Sequence, residues 1–117
     1  MQVKIAHIAD IHLGVKCCGI GNRCEQRSSE ITSTFYKIVK ICEYENIDFL
    51  LIAGDLFDDV GVSELYLKEL KRVFSKVNFK IIISPGNHDP HTPDSPYNTK
   101  WPKNVFIWIS LVFRNMV

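Results

Sequence analysis

Three short apolar runs, each broken off by an acid, an amide or an imidazole, constrain this chain more than any other feature. The run from Val3 to Ala9 ends in "ADIH", with Asp10 and His12. "DFLLIAGD" opens into "AGDLFDD", with Asp55, Asp58 and Asp59, and "FKIIIS" into "SPGNHD", with Asn87, His88 and Asp89. Runs this short, apolar and β-branched read as strands, and the second is continuous, as expected of a strand buried on both faces. Between them lie two helical patterns. Ile31, Phe35, Ile38, Val39 and Cys42 share one face of a helix that stops near Asn46. Leu67, Leu70, Phe74 and Val77 form the stripe of a second helix, with Ser63 as N-cap and Glu64 in its first turn. "NVFIWIS" supplies a fourth strand. The order β-α-β-α-β-β predicts an α/β fold: a mostly parallel sheet of βαβ units with right-handed crossovers. Pro90 to Pro102, with four of the five prolines, reads as an ordered loop wrapping an edge.

Composition narrows the class. At 117 residues, 46% hydrophobic and 23% charged, the chain is the size of one small globular domain and is not a disordered or disulfide-scaffold sequence. A net charge of +1 gives no global electrostatic case for nucleic acid or membrane, so phosphate binding has to come from a local site. Cys17, Cys18, Cys24 and Cys42 form no C-x-x-C pair, and no secretory signal is legible at the N-terminus. Reduced thiols and a cytoplasmic location are expected. A structural zinc on Cys17, Cys18 and Cys24 would fit no common spacing. Val105 to Phe113 is about half the length of a membrane span.

In open parallel sheets, ligands bind outside the carboxyl ends of the strands. Three such ends would bring Asp10, His12, Asp55, Asn87 and His88 to one crevice. Asp10 and His12 lie two apart, so in an extended segment both point the same way and can grip one ion. Asp55 has two oxygens with which to bridge two ions, and Asn87 offers a neutral amide oxygen. Oxygen and imidazole donors without thiolate suit Mn²⁺, Fe or Zn²⁺. Two ions about 3.5–4 Å apart would clamp a phosphoryl group and activate a water.

The motifs D-x-H, G-D-x-x-D and G-N-H-D, in this order, resemble the first three motifs of the calcineurin-like metallophosphoesterases. "ADIHLG", "AGDLFD" and "GNHDP" are more narrowly similar to the SbcD-type nuclease subunits of DNA-repair exonucleases and to their YhaO-like members. The resemblance covers residues 3 to about 110. It implies half of a metallophosphoesterase α/β sandwich and two divalent metal ions, Mn²⁺ first and Mg²⁺, Fe or Zn²⁺ as alternatives. By position, Asp10 and His12 would hold the first metal, Asp55 would bridge and Asn87 would hold the second. His88 would face the scissile phosphate and protonate the leaving oxygen, oriented by Asp89. DNA would be the substrate and an SbcC-like ATPase the partner. The family's later motifs, a lone His and a Gly-His-x-His, have no counterpart, since histidines occur only at positions 7, 12, 88 and 91. Residues 1–117 therefore read as the N-terminal part of such a domain.

Ordinary structural roles compete at several positions. His7 faces away from Asp10 and reads as a packed histidine, Asp58 and Asp59 as caps of a turn, and Trp101 and Trp108 as packing groups. Arg27 and His91 are candidate substrate contacts, set against a plain solvated face. Besides a DNA exonuclease, the sequence admits a fragment that binds metal weakly or serves as an interaction module, and a phosphoesterase for small molecules or phosphoproteins. An uncovered sheet face and the apolar fourth strand would favour self-association.

Overall fold

The computed structural model describes residues 2–14 and 22–109. Cys17 and Cys18, and the side chain of Cys24, lie outside the described residues, as does most of the expected loop from Leu13 to Arg23. The elements run β1 (Ile5–Ile8), α1 (Asn22–Tyr44), β2 (Phe49–Ala53), α2 (Glu64–Lys76), β3 (Lys80–Ser84), a 3₁₀ turn (Pro96–Asn98) and β4 (Val105–Ile107). The four strands form one sheet in the order β1-β2-β3-β4, every pair parallel. The expected βαβ arrangement is thus the observed one.

Local chemistry sets the helix ends. Ser63 caps α2, its Oγ accepting from the Tyr66 amide at 3.2 Å. α1 closes just before Asn46, which takes a left-handed φ of 53°. The amide of Asn46 reaches Glu43 O at 3.2 Å and that of Ile47 reaches Cys42 O at 3.3 Å, so carbonyls at the helix end find donors. Among the described residues no helix is long and apolar enough to cross a membrane.

Both helices cover the same face of the sheet. Phe35, Val39 and Cys42 from α1 and Leu67, Leu70 and Phe74 from α2 pack with Leu50, Ile52, Ile81 and Ile83 in the core. Each fully buried Leu, Ile or Phe here contributes about 1.5–3 kcal/mol. The opposite face is open, which corrects the expectation for β2: Leu50 and Ile52 are buried, but Phe49 and Leu51 are half-buried and Ala53 is exposed. The register sets His7, Leu51, Ile82 and Phe106 side by side across that face. His7 is exposed and not packed, because no layer covers it. Trp108 is likewise 50% exposed and not a packing group, whereas Trp101 packs on Tyr97.

The segment joining β3 to β4 crosses without a helix. It is held by its own bonds: Asn98 Nδ2 donates to Thr92 O, Trp101 Nε1 to Pro96 O, and Asn104 Nδ2 to Phe74 O and Phe79 O. The proline-rich stretch is an ordered loop, as its sequence suggested, and it carries a buried tyrosine, Tyr97, back beneath the strand ends.

Candidate metal centre

Beyond their regular ladders β1 and β2 stay in step. The amide of Asp10 bonds Gly54 O at 3.2 Å, that of His12 bonds Asp55 O at 3.0 Å, and that of Leu13 bonds Leu56 O at 2.8 Å. Within this irregular extension Asp10, His12 and Asp55 all adopt left-handed φ values, 54°, 57° and 54°. Such a conformation costs about 1–3 kcal/mol at a residue with a side chain, and it clusters where a structure has a use for it. The two-apart argument for Asp10 and His12 therefore fails in its detail. Neither residue is extended, and their convergence comes from two left-handed turns.

The convergence is nonetheless tight. Ligand atoms of Asp10, His12 and Asp55 all lie within 4.8 Å of one another, and so do those of His12, Asp58 and His88. His12 is common to both groups, while Asp55 belongs to the first. Both sets contain carboxylate and imidazole donors only, partly open to solvent, which fits a divalent ion of intermediate hardness. Asp58, expected to cap a turn, instead places Oδ1 3.0 Å from His12 Nδ1. With Nδ1 protonated, that bond leaves Nε2 as the free lone pair, the arrangement in which a carboxylate behind an imidazole orients it toward a metal. Asp59 does act locally, accepting from the Val60 amide at 2.7 Å.

His88 sits exposed at the rim, its ring edge-on to that of His12 with centroids 4.9 Å apart. Its backbone amide donates to Asp55 Oδ1 at 2.8 Å, tying the loop after β3 to the candidate ligand after β2. The two loops pass so close that a Cβ on Gly86 would meet the Asp55 amide nitrogen at 2.5 Å and overlap its carboxylate. Only glycine allows that approach.

Asp89 does not take the role expected of it. It is fully buried, and its carboxylate accepts from the amides of Gly86 (2.7 Å), Asp55 (3.1 Å) and Phe57 (3.0 Å) and from the Tyr97 hydroxyl. None of these donors is the His88 ring. Burial first, and then the bond to Asp89, hold the Tyr97 phenol protonated well beyond its ordinary range.

The remaining candidates are more peripheral. Asn87 is exposed between Gly86 and His88, and His91 is exposed three residues further on. Arg27 lines a groove of about 390 Å³ that reaches Ile11, the residue between Asp10 and His12. A larger groove of about 800 Å³, lined by Thr32, Tyr36, Lys37 and Tyr66 among others, contains none of the candidate ligands.

Comparison with known proteins agrees with this geometry. Residues 3–116 match the family model described as calcineurin-like phosphoesterase. The chain is 34% identical, over 95% of its length, to an uncharacterized metallophosphoesterase, YhaO, of Bacillus subtilis. It is 33% identical over 74% of its length to the DNA double-strand break repair protein Mre11 of Aeropyrum pernix. Over 74% of its length it is 31% identical to SbcD, the smaller-lettered half of the name of the SbcCD nuclease, from Bacillus subtilis. These matches cover 29%, 21% and 22% of the respective relatives, so the chain spans less than a third of each. The chain belongs to the calcineurin-like phosphoesterase family.

Proposed function

We propose that this chain supplies the divalent-metal half-site of a phosphodiester hydrolase of the DNA-exonuclease type. The observation that carries the reading is the meeting of Asp10, His12 and Asp55 within 4.8 Å on three left-handed residues. Kinship with proteins named as part of a nuclease and as a double-strand break repair protein supports DNA as the substrate. Asp10, His12 and Asp55 would hold the first ion, and Asn87, beside His88, would serve a second. Mn²⁺ is the ion of choice, with Mg²⁺, Fe or Zn²⁺ as alternatives. An SbcC-like ATPase as partner belongs to the same reading.

When bound, a divalent ion supplies positive charge to the phosphoryl oxygens and lowers the pKa of a water. The chain's own residues do the rest. Asp58 holds His12 through Nδ1. Asp55 takes the His88 amide on one oxygen and keeps the other free. His88, at the solvent-facing rim, can carry a proton to the leaving oxygen.

The test is hydrolysis of linear duplex DNA and of a small phosphodiester in the presence of Mn²⁺. Both should be cleaved, and His88→Ala should cost about 100-fold or more in rate while Mn²⁺ binding persists. Loss of Mn²⁺ on that substitution would make His88 a ligand. Cleavage of the small diester alone would favour a small-molecule phosphoesterase.

A further inference from the structure

Tyr97 lies eight residues beyond Asp89, in the loop before β4, and belongs to none of the three motifs. It is 4% exposed, and its ring packs on Phe57 and Trp101 at centroid distances of 5.8 and 6.2 Å. Ser95 and Pro96 start the short turn that presents it, with Ser95 Oγ accepting from the Tyr97 amide at 3.1 Å. Its hydroxyl donates to Asp89 Oδ2, the oxygen that also accepts the Phe57 amide. The other oxygen, Oδ1, accepts the amides of Asp55 and Gly86. One buried carboxylate thus joins the loop after β2, the loop after β3 and the turn before β4.

We propose that Tyr97 is a positioning residue for the metal centre, acting through Asp89 to fix the Asp55 loop against the Gly86–His88 loop. The proposal rests on the metal reading of that centre and extends it to a residue outside the motifs. The chemistry favours tyrosine here. A phenol brings a hydrogen-bond donor into a buried spot on a rigid ring, at little cost in side-chain entropy, and leaves the carboxylate free of any neighbouring positive charge. Without that donor Asp89 keeps its three amide partners but loses the anchor that sets its rotamer. Asp55 would then drift relative to His12, and a ligand loosened by about an ångström binds its ion poorly.

The test compares the chain with Tyr97→Phe, which keeps the ring and removes only the hydroxyl. Amide hydrogen exchange without metal is the first readout. Exchange at Asp55, Phe57 and Gly86 should speed up about tenfold, while Leu50 and Ile81 in the strands stay protected. A uniform rise across the sheet would show a merely structural tyrosine and overturn the proposal. The second readout is Mn²⁺ affinity at a temperature where both proteins are folded. A loss of about tenfold is expected, and it should vanish when Tyr97→Phe is made in an Asp89→Asn background, since the effect passes through Asp89. Unchanged affinity with loosened amides would overturn the positioning role alone. Failure of the unmodified chain to bind Mn²⁺ at all would overturn the metal reading and the proposal with it.

Discussion

The two ends of the sheet handle an aspartate in different ways. At the amino end Asp48 is exposed, accepting the Lys4 amide at 2.8 Å next to an ordinary helix exit. At the carboxyl end Asp89 is fully buried and accepts four donors from three segments of chain. The strained backbone is distributed in the same lopsided manner. Asp10, His12 and Asp55 take left-handed φ at the carboxyl end, against Asn46 alone among described non-glycine residues at the other. The amino end closes the fold with common turn chemistry. The carboxyl end holds costly conformations in place with buried bonds, which is worthwhile only where fixed geometry has a use.

Removing each aspartate is the strongest way to break that contrast. Asp89→Ala strands three buried amides and a phenol, and should cost about 3–5 kcal/mol in urea unfolding. Asp48→Ala should change the midpoint by no more than experimental scatter. Similar losses at the two positions would mean that the ends do not differ as described.

The two faces of the sheet offer the next comparison. Phe106 is 49% exposed on the open face, whereas Ile107 packs against the core. Phe106→Lys should leave stability nearly unchanged and shift any self-association toward monomer. Ile107→Lys buries a charge and should destabilise by about 2 kcal/mol or more. Light scattering together with urea titration separates the two outcomes.

Much of this was legible in the sequence. The apolar runs and helical stripes gave the element order, Ser63 its cap, and the polar residues at the strand ends the place of the site. The open face was not legible, because a continuous apolar strand such as "FLLIA" has no alternation to say which side is covered. The left-handed turns at Asp10 and His12 carry no glycine to mark them. The positions of Asp58 and Asp89 depend on partners 46 and up to 34 residues away, which local patterns do not register. A second acid three residues after Asp55, and Ser-Pro ahead of an aromatic at Tyr97, were the available signals.

A pH series sharpens the contrast at smaller scale. The Tyr97 phenol keeps its proton in the folded state, through burial and Asp89, while in the unfolded chain it ionises at its ordinary 10.0. A raised folded pKa contributes stability that is fully present below pH 10 and is lost as pH rises further. Tyr36 and Tyr66, raised chiefly by burial, act in the same sense, and Lys71, lowered by burial, acts against them. Urea midpoints should therefore fall above pH 10, less steeply in Tyr97→Phe. Identical slopes would remove Tyr97 from the account.

The smallest effect concerns strain itself. Asp10→Gly and Asn46→Gly each relieve a left-handed residue and should stabilise by about 0.5–1 kcal/mol. Only the first should weaken Mn²⁺ binding. A loss of stability in Asp10→Gly would show that its side chain supports the fold and not the site.

The central claim is that the carboxyl ends of β1, β2 and β3 form one divalent-cation site. Calorimetric titration of the chain and of Asp55→Ala with Mn²⁺ tests it most directly. The account predicts a saturable site in the unmodified chain that is lost in Asp55→Ala while the fold persists. Equal Mn²⁺ affinity in the two proteins would contradict it.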